Sequence, residues 1–279
     1  MRRKAAVICI NYKTENATKR FISSLKNCIS SNFIDIFIAD NSPPSDRYDF
    51  GKFGPDCQVF QYQDNPGYFG AAQRILECPK FFLEKYDWVI VANNDIEFRD
   101  ERFLYRLFQF SPSEYGVLAP SIIDGFSGRD SNPFMRTRPQ PGKMRRLKIL
   151  FSNPLLCQAY HFLSLFKEMI LSLAVKNSQN LEREEDIYAA HGAFMIFSRA
   201  YFANGLDFSH GSFLFGEEVT VAERCRITGL RIHYKPSLRV HHIGKHTMGR
   251  FYSRHVLIWK KDSSKYIYET WFRSKEKEG

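Results

Sequence analysis

The run Trp88-Val89-Ile90-Val91-Ala92 passes directly into Asn93-Asn94-Asp95-Ile96-Glu97. An apolar, β-branched strand covered on both faces is thereby made to end in oxygen ligands. In open α/β sheets ligands bind at the carboxyl edge, where such a strand stops. If the backbone stays extended, Asn93, Asp95 and Glu97 project to one side, because side chains alternate along a strand. Hard cations such as Mg²⁺ or Mn²⁺ take this donor set. Taken alone, the segment reads equally well as a strand followed by an Asn/Asp turn.

Other chemistry-bearing residues stand at similar junctions. Ile10-Asn11-Tyr12-Lys13, Ala39-Asp40-Asn41-Ser42 and Asn65-Pro66-Gly67-Tyr68-Phe69-Gly70 each follow a strand pattern with polar residues or glycine. A nucleotide site needs a flat wall for the base, an amide or carboxylate to read its edge, and glycine where backbone approaches phosphate. Further on, Glu217-Glu218 opens a helical pattern, where amide dipoles favour carboxylates whatever their role. His242 ends a strand pattern, and Gly244-Lys245-His246-Thr247 after it carries phosphate-binding groups.

The elements that must position these residues alternate. Strand patterns cover Ala5 to Ile10, Ile34 to Ala39, Gln58 to Tyr62, Trp88 to Ala92 and Gly116 to Ile123. Helices are expected at Ala17 to Ile29, with Thr14 as N-cap, at Ala71 to Leu76 and at Glu101 to Phe110. This order predicts an α/β fold with a mostly parallel central sheet. The rhythm resumes with a strand from Ala189 to Phe197, a helix from Glu217 to Thr228 closed by Gly229, and a strand from Arg231 to His242.

Between these halves, residues 125–186 form an insertion: a Pro-, Gly- and Arg-rich loop, then a helix starting at Asn153-Pro154. Its polar residues Gln158, His161, Ser164, Glu168 and Ser172 make a narrow stripe on an otherwise greasy helix. That wide apolar face must find the core, a partner or a bilayer surface. The expected organisation is therefore 1–124, the insertion 125–186, 187–249, and a basic aromatic tail, 250–279.

The 279 residues, 44% of them hydrophobic, can bury a real core and exclude a disordered chain. Six scattered cysteines without a Cys-x-x-Cys pair read as core residues of a reducing compartment. The charged start stops its apolar run at Asn11, too soon for a signal peptide, and no run is long enough to span a membrane. The net charge of +10 is concentrated. Seven basic residues from Arg129 to Lys148 face Asp130 alone, and the tail from Arg239 is also basic. Such segments attract phosphates.

Taken together, these segments resemble the family-2 glycosyltransferases of GT-A (Rossmann-like) fold, in particular the bacterial rhamnosyl- and galactofuranosyltransferase-like branch. The resemblance covers about residues 5 to 123 and 187 to 247. Asn11-Tyr12, Asp40-Asn41-Ser42, Asn65-Pro66-Gly67 with Gly70-Ala71-Ala72, and Asn93-Asn94-Asp95 match its donor segments in order. Gly192-Ala193-Phe194-Met195, Phe215-Gly216-Glu217-Glu218 and Pro236-Ser237-Leu238-Arg239-Val240-His241-His242 match its second half. The resemblance implies an inverting transfer from a dTDP- or UDP-sugar to a hydroxyl of a growing, lipid-linked cell-surface polysaccharide such as O-antigen or capsule. It places Asn11, Tyr12, Asp40, Asn41, Asn65, Gly67, Gln73, Asn93, Asn94 and Lys245 on the donor, and Asp95 and His242 on Mn²⁺ or Mg²⁺. Glu218 is the expected base, with Glu217 beside it. Asn93 departs from a two-carboxylate motif, which lowers the expected metal affinity. The implied location is cytoplasmic, peripheral to the inner face of the membrane, and no nucleic-acid partner is expected.

Other classes fit less well. A sugar-phosphate nucleotidyltransferase would carry a glycine-rich loop after the first strand, and Asn11-Tyr12-Lys13-Thr14-Glu15 has no glycine. A membrane- or nucleic-acid-binding module would rest on Arg145, Arg146, Lys148 and Trp259-Lys260-Lys261, outside the matched segments. A catalytically inactive GT-A protein that docks to membrane or glycan is the remaining alternative.

Overall fold

The computed structural model describes residues 4–174, 183–244 and 252–273, without the side chains of 167–174. Strands β1 (Ala5–Asn11), β2 (Ile34–Asp40), β3 (Cys57–Gln61) and β4 (Trp88–Asn93) run parallel in the order β3-β2-β1-β4. The sheet continues through β8 (Phe194–Ser198), β6 (Val117–Asp124) and β9 (Ile232–His242) to β5 (Ile96–Glu97), and β7 (Glu185–Ile187) also pairs with β9. β8 is antiparallel to both β4 and β6, while β6 and β9 are parallel.

Alternation along the strands builds a core on each face. Val7, Cys9, Ile36, Ile38, Ile90 and Ala92 pack on one side with Phe21, Ile22 and Leu25 of α1 (Glu15–Lys26) and Leu104 and Leu107 of α3 (Phe103–Leu107). Ala6, Ile8, Phe37, Ala39, Val89 and Val91 face the other way, onto α2 (Tyr68–Leu76) and α7 (Glu217–Thr228). Both faces are covered, and the strands accordingly read as continuous apolar runs. The expected α/β architecture is the one observed.

Element ends differ where local chemistry competes. α3 is shorter than the expected Glu101 to Phe110. Thr14 precedes α1 but makes no side-chain cap, its hydroxyl being engaged by Asn94 instead. Asn153 does cap α5 (Pro154–Ala174), its Oδ1 accepting from Leu155 N at 2.9 Å and Leu156 N at 3.2 Å.

Three α-helices among the described residues are not expected from the sequence: the short α6 (Arg199–Ala203) and two longer ones. The Pro/Gly/Arg-rich segment folds from Pro141 as α4 (Pro141–Ser152), with proline at the first turn where its missing N–H costs nothing. The tail forms α8 (Arg254–Ile267), capped by Ser253 Oγ, which accepts from Val256 N. Met144 of α4, Val219 of α7, Ile267 of α8 and Tyr268 and Phe272 beyond it share a third cluster. Fully buried Glu223 of α7 accepts from Arg138 Nε at 2.6 Å, Tyr188 Oη at 2.7 Å and Arg226 Nη2 at 2.8 Å. The insertion is thus bound to α7 by a buried charge that is fully paired.

Candidate active site

At the carboxyl edge, β1 and β2 end in a buried polar network. Asn11 Nδ2 donates to Asp40 Oδ1 at 2.8 Å and Ser42 Oγ at 3.2 Å, while Asn11 Oδ1 accepts from Thr18 Oγ1 at 2.8 Å. Asn41 Nδ2 donates to Gly67 O at 3.0 Å, drawing the third turn to the second. Asp40 Oδ2 and Asn41 Oδ1 are buried acceptors without hydrogen-bond partners among the described residues. Buried orphan acceptors are costly and mark places where a ligand's N–H groups would be welcome. Tyr12, half exposed beside them, offers an aromatic face.

The Asn65-Pro66-Gly67 turn is shaped by its residues. Asn65, at φ 42°, accepts from Gly67 N through Oδ1 at 3.3 Å. Gly67 has φ 82°, and a Cβ there would stand 2.2 Å from Phe213 O. Only glycine fits this crossing of two backbones.

Alternation survives beyond β4 although a turn interrupts the strand at 94–95. Asn93, Asp95 and Glu97 are partly exposed, while Asn94 and Ile96 are buried. Asp95 meets His242 across the β5–β9 pairing, with Oδ1 3.0 Å from Nε2. Burial alone would lower the His242 pKa, but the Asp95 carboxylate outweighs it and holds the imidazole above its ordinary value. That contact apart, Asp95 Oδ1 is buried without a hydrogen-bond partner among the described residues. Gly244 presses on Asp95 from the other side, where a Cβ would fall 1.9 Å from Oδ2.

A carboxylate and an imidazole facing each other at a sheet edge fit a divalent cation as two protein ligands. No group of three or more His, Cys, Asp or Glu residues able to hold a metal occurs among the described residues. A cation held here would draw its remaining ligands from phosphate oxygens and water.

On the opposite wall, α7 begins with Gly216 at φ 87°, after Phe215 at φ 71°. Glu217 is buried. Glu218 sits against Gly192, where a Cβ would lie 2.6 Å from its Oε1. Desolvation raises the pKa of both carboxyls; in Glu218 it outweighs the backbone N–H groups of Glu218 itself and Gly192, then the charge of Lys260 and the Gly216 N–H. Amide dipoles at a helix start favour the ionised form, but here burial wins, and the proton affinity goes up.

Backbone contacts bring the two walls together. Asn93 N donates to Ala193 O at 2.9 Å, so the end of β4 abuts the Gly192 turn. The His191 ring lies 6.4 Å from that of His242, and Tyr68 Oη donates to Gly192 O at 2.8 Å. Burial lowers the His191 pKa to about 4, with His242 adding to the effect. Buried Asn132 fixes this turn, its Oδ1 accepting from His191 N at 2.8 Å.

Two expected donor contacts come out differently, and a third is not described. Asn94 turns inward, its Nδ2 within 3.0 Å of Asn11 Oδ1, Thr14 Oγ1 and Thr18 Oγ1, because it falls on the buried phase of the alternation. Gln73 ties α2 to the chain at Phe208, whose N donates to its Oε1 at 2.8 Å. Lys245 lies outside the described residues. Glu97, a conceivable extra metal ligand by spacing, is held by Arg99 at 2.9 Å. Conversely, Tyr68 and His191, which the sequence reading gives no role, and Lys260, which it places only in a basic tail, lie by the site carboxylates. Tyr68 and His191 flank quoted motifs, whereas Lys260 gives no local signal because long-range packing of α8 brings it in.

No protein-family description matches the chain, and no curated relative does either. Its likeness is to solved structures. GalNAc-T7 with UDP, GalNAc and Mn²⁺ superposes with a TM-score of 0.55 at 12% identity, over 87% of this chain and 44% of that one. TarS of S. aureus gives 0.54 at 14%, over 86% and 37%. The chain thus spans less than half the length of these neighbours. At such identities the likeness establishes the architecture alone: a mixed α/β sheet of the GT-A fold.

Proposed function

We propose that the chain is an inverting glycosyltransferase that moves a sugar from a nucleoside-diphosphate donor to a hydroxyl of a glycan. The observation that carries this reading is the placement of Asp95–His242 and Glu218 on facing walls of one sheet edge, joined through the Asn93–Ala193 hydrogen bond. The donor's base fits the orphan acceptors of Asp40 and Asn41 beside Tyr12, which suits the N–H edge of uridine or thymidine. The UDP and Mn²⁺ held by the GalNAc-T7 neighbour support the same donor chemistry.

In the reaction the acceptor oxygen bonds to the anomeric carbon as the bond from that carbon to the diphosphate oxygen breaks. Glu218 takes the hydroxyl proton, for which a raised pKa suits it. Asp95 and His242 would hold a divalent cation, which supplies positive charge to the leaving diphosphate. Tyr68 fixes the Gly192 carbonyl, and Gly192 leaves room for the base. Sequence motifs support the family-2 rhamnosyl/galactofuranosyl-like branch and a cell-surface polysaccharide as the product, lipid-linked during assembly.

Calorimetric titration with UDP, dTDP and GDP, with and without Mn²⁺, tests the donor half. Binding of one nucleotide that needs both Mn²⁺ and Asp95 is expected. Binding of none overturns the reading.

A further inference from the structure

Helix α5 is inside out. The described part of its polar stripe faces the protein: Gln158 Oε1 accepts from Tyr252 N at 3.0 Å, and buried His161 stacks on Tyr252 with ring centroids 3.8 Å apart. Its greasy face is turned outward, with Leu155 80%, Leu163 68% and Phe166 58% exposed. The apolar surface continues onto α4 through Ile149, 57% exposed. An apolar patch of this kind on a water-soluble surface marks an interaction site.

Charge identifies the partner. Arg145 and Arg146 stand four and three residues before Ile149, hence on the same helix surface. With Lys143 they are exposed and form no ion pair among the described residues, whereas Lys148 of the same helix is paired with Glu269 at 2.9 Å. Unpaired cations rimming an outward apolar face match anionic headgroups above acyl chains. No helix among the described residues is long and apolar enough to cross a membrane, so this surface would lie on a bilayer rather than span it.

The inner side of the same surface reaches the candidate base. Phe151 at the end of α4 and Tyr252 behind α5 surround Lys260 Nζ at 5.7 and 5.0 Å, and Phe215 lies beneath it at 4.3 Å. Phe215 immediately precedes Gly216-Glu217-Glu218, and Ser263 Oγ of α8 donates to its carbonyl at 2.6 Å.

We propose that the α4–α5 face docks the protein onto an anionic bilayer, so that the Glu218 wall meets an acceptor held in that bilayer. The second clause rests on the glycosyltransferase reading; the first does not.

The test is vesicle flotation of the full chain on phosphatidylcholine with and without phosphatidylglycerol. Binding to the mixed vesicles, lost by about tenfold or more in Leu163→Glu/Phe166→Glu and in Arg145→Glu/Arg146→Glu, is expected. Both sites are exposed, so nucleotide binding by the variants should equal that of the parent, which separates failure of docking from failure of the donor site. No flotation, or flotation unchanged by either variant pair, overturns the proposal. So does sedimentation showing a dimer that Leu163→Glu/Phe166→Glu converts to monomer, because a second copy would then own the face.

Discussion

Gly192 lies so close to Glu218 that a methyl group on its Cα would stand 2.6 Å from the carboxylate oxygen Oε1. The candidate base is therefore seated by the absence of a side chain in the turn that leads into β8. Gly192→Ala should push the carboxylate aside while leaving the donor edge intact. Turnover is expected to fall about a hundredfold with nucleotide affinity unchanged, as for a misplaced catalytic group. Equal losses in both would show that Gly192 serves the fold instead.

Glu218→Gln keeps the shape of the site and removes the proton acceptor. Transfer should drop by at least about a hundredfold while UDP or dTDP titrations stay the same. In the parent protein the acid limb of the kcat/KM profile should fall above the ordinary carboxylate range, since burial raises the Glu218 pKa. A limb at an ordinary carboxylate value would argue for another base.

Asp95→Ala and His242→Ala each remove one of the two residues offered to a cation. Mn²⁺-dependent nucleotide affinity is expected to weaken by roughly tenfold to a hundredfold in each. Calorimetry with Mn²⁺ varied at fixed nucleotide checks this, and an unchanged Mn²⁺ requirement in both variants would remove the pair from the site.

Glu217 is buried and desolvation raises its pKa, so the folded state holds a proton that the unfolded chain has already released. By linkage, stability is present at low pH and is lost as the pH rises from the ordinary carboxylate value through the raised one. Glu217→Gln should remove that loss, giving a Tm gain over the parent that widens toward alkaline pH. A constant difference across the range would refute the assignment.

Gly67 occupies a left-handed φ of 82° with Phe213 O in the place of a Cβ. Gly67→Ala should cost about 2–4 kcal/mol in urea unfolding, with donor binding impaired as the Asn41–Gly67 hydrogen bond shifts.

Much of this was legible in the chain because local pattern and global fold agree. The period-two alternation that makes β4 also placed Asn93 and Asp95 on the open side, and the same rule puts Asn94 inward, where the motif reading had assigned it to the donor. Gly229 closes α7 at φ 71°, as its position after Thr228 implied. What escaped depended on contacts distant in sequence. α4 is led by proline, glycine and basic residues and keeps only Met144 buried, so its helical period was faint. The amphipathic period of α5 was visible, but not which face would be turned inward, since that depends on Tyr252 nearly a hundred residues away. Lys260 looked like part of a surface charge run until α8 packed on the Phe215 turn.

β8 enters the sheet against the direction of its neighbour β4, with Phe194 opposite Ala92. The beginning of one strand thereby meets the end of the other. On the proposed glycosyltransferase reading, the groups for the leaving diphosphate (Asp95, His242) sit where β4 exits, and the seat of the candidate base sits where β8 enters. The hydrogen-bond register between the two strands would then be a ruler across the scissile bond. A slip of one residue would move the Gly192 seat by about 3.4 Å and turn every β8 side chain to the opposite core. The packed faces of Phe194, Ile196, Met195 and Phe197, divided between the two cores, hold that ruler at a single setting.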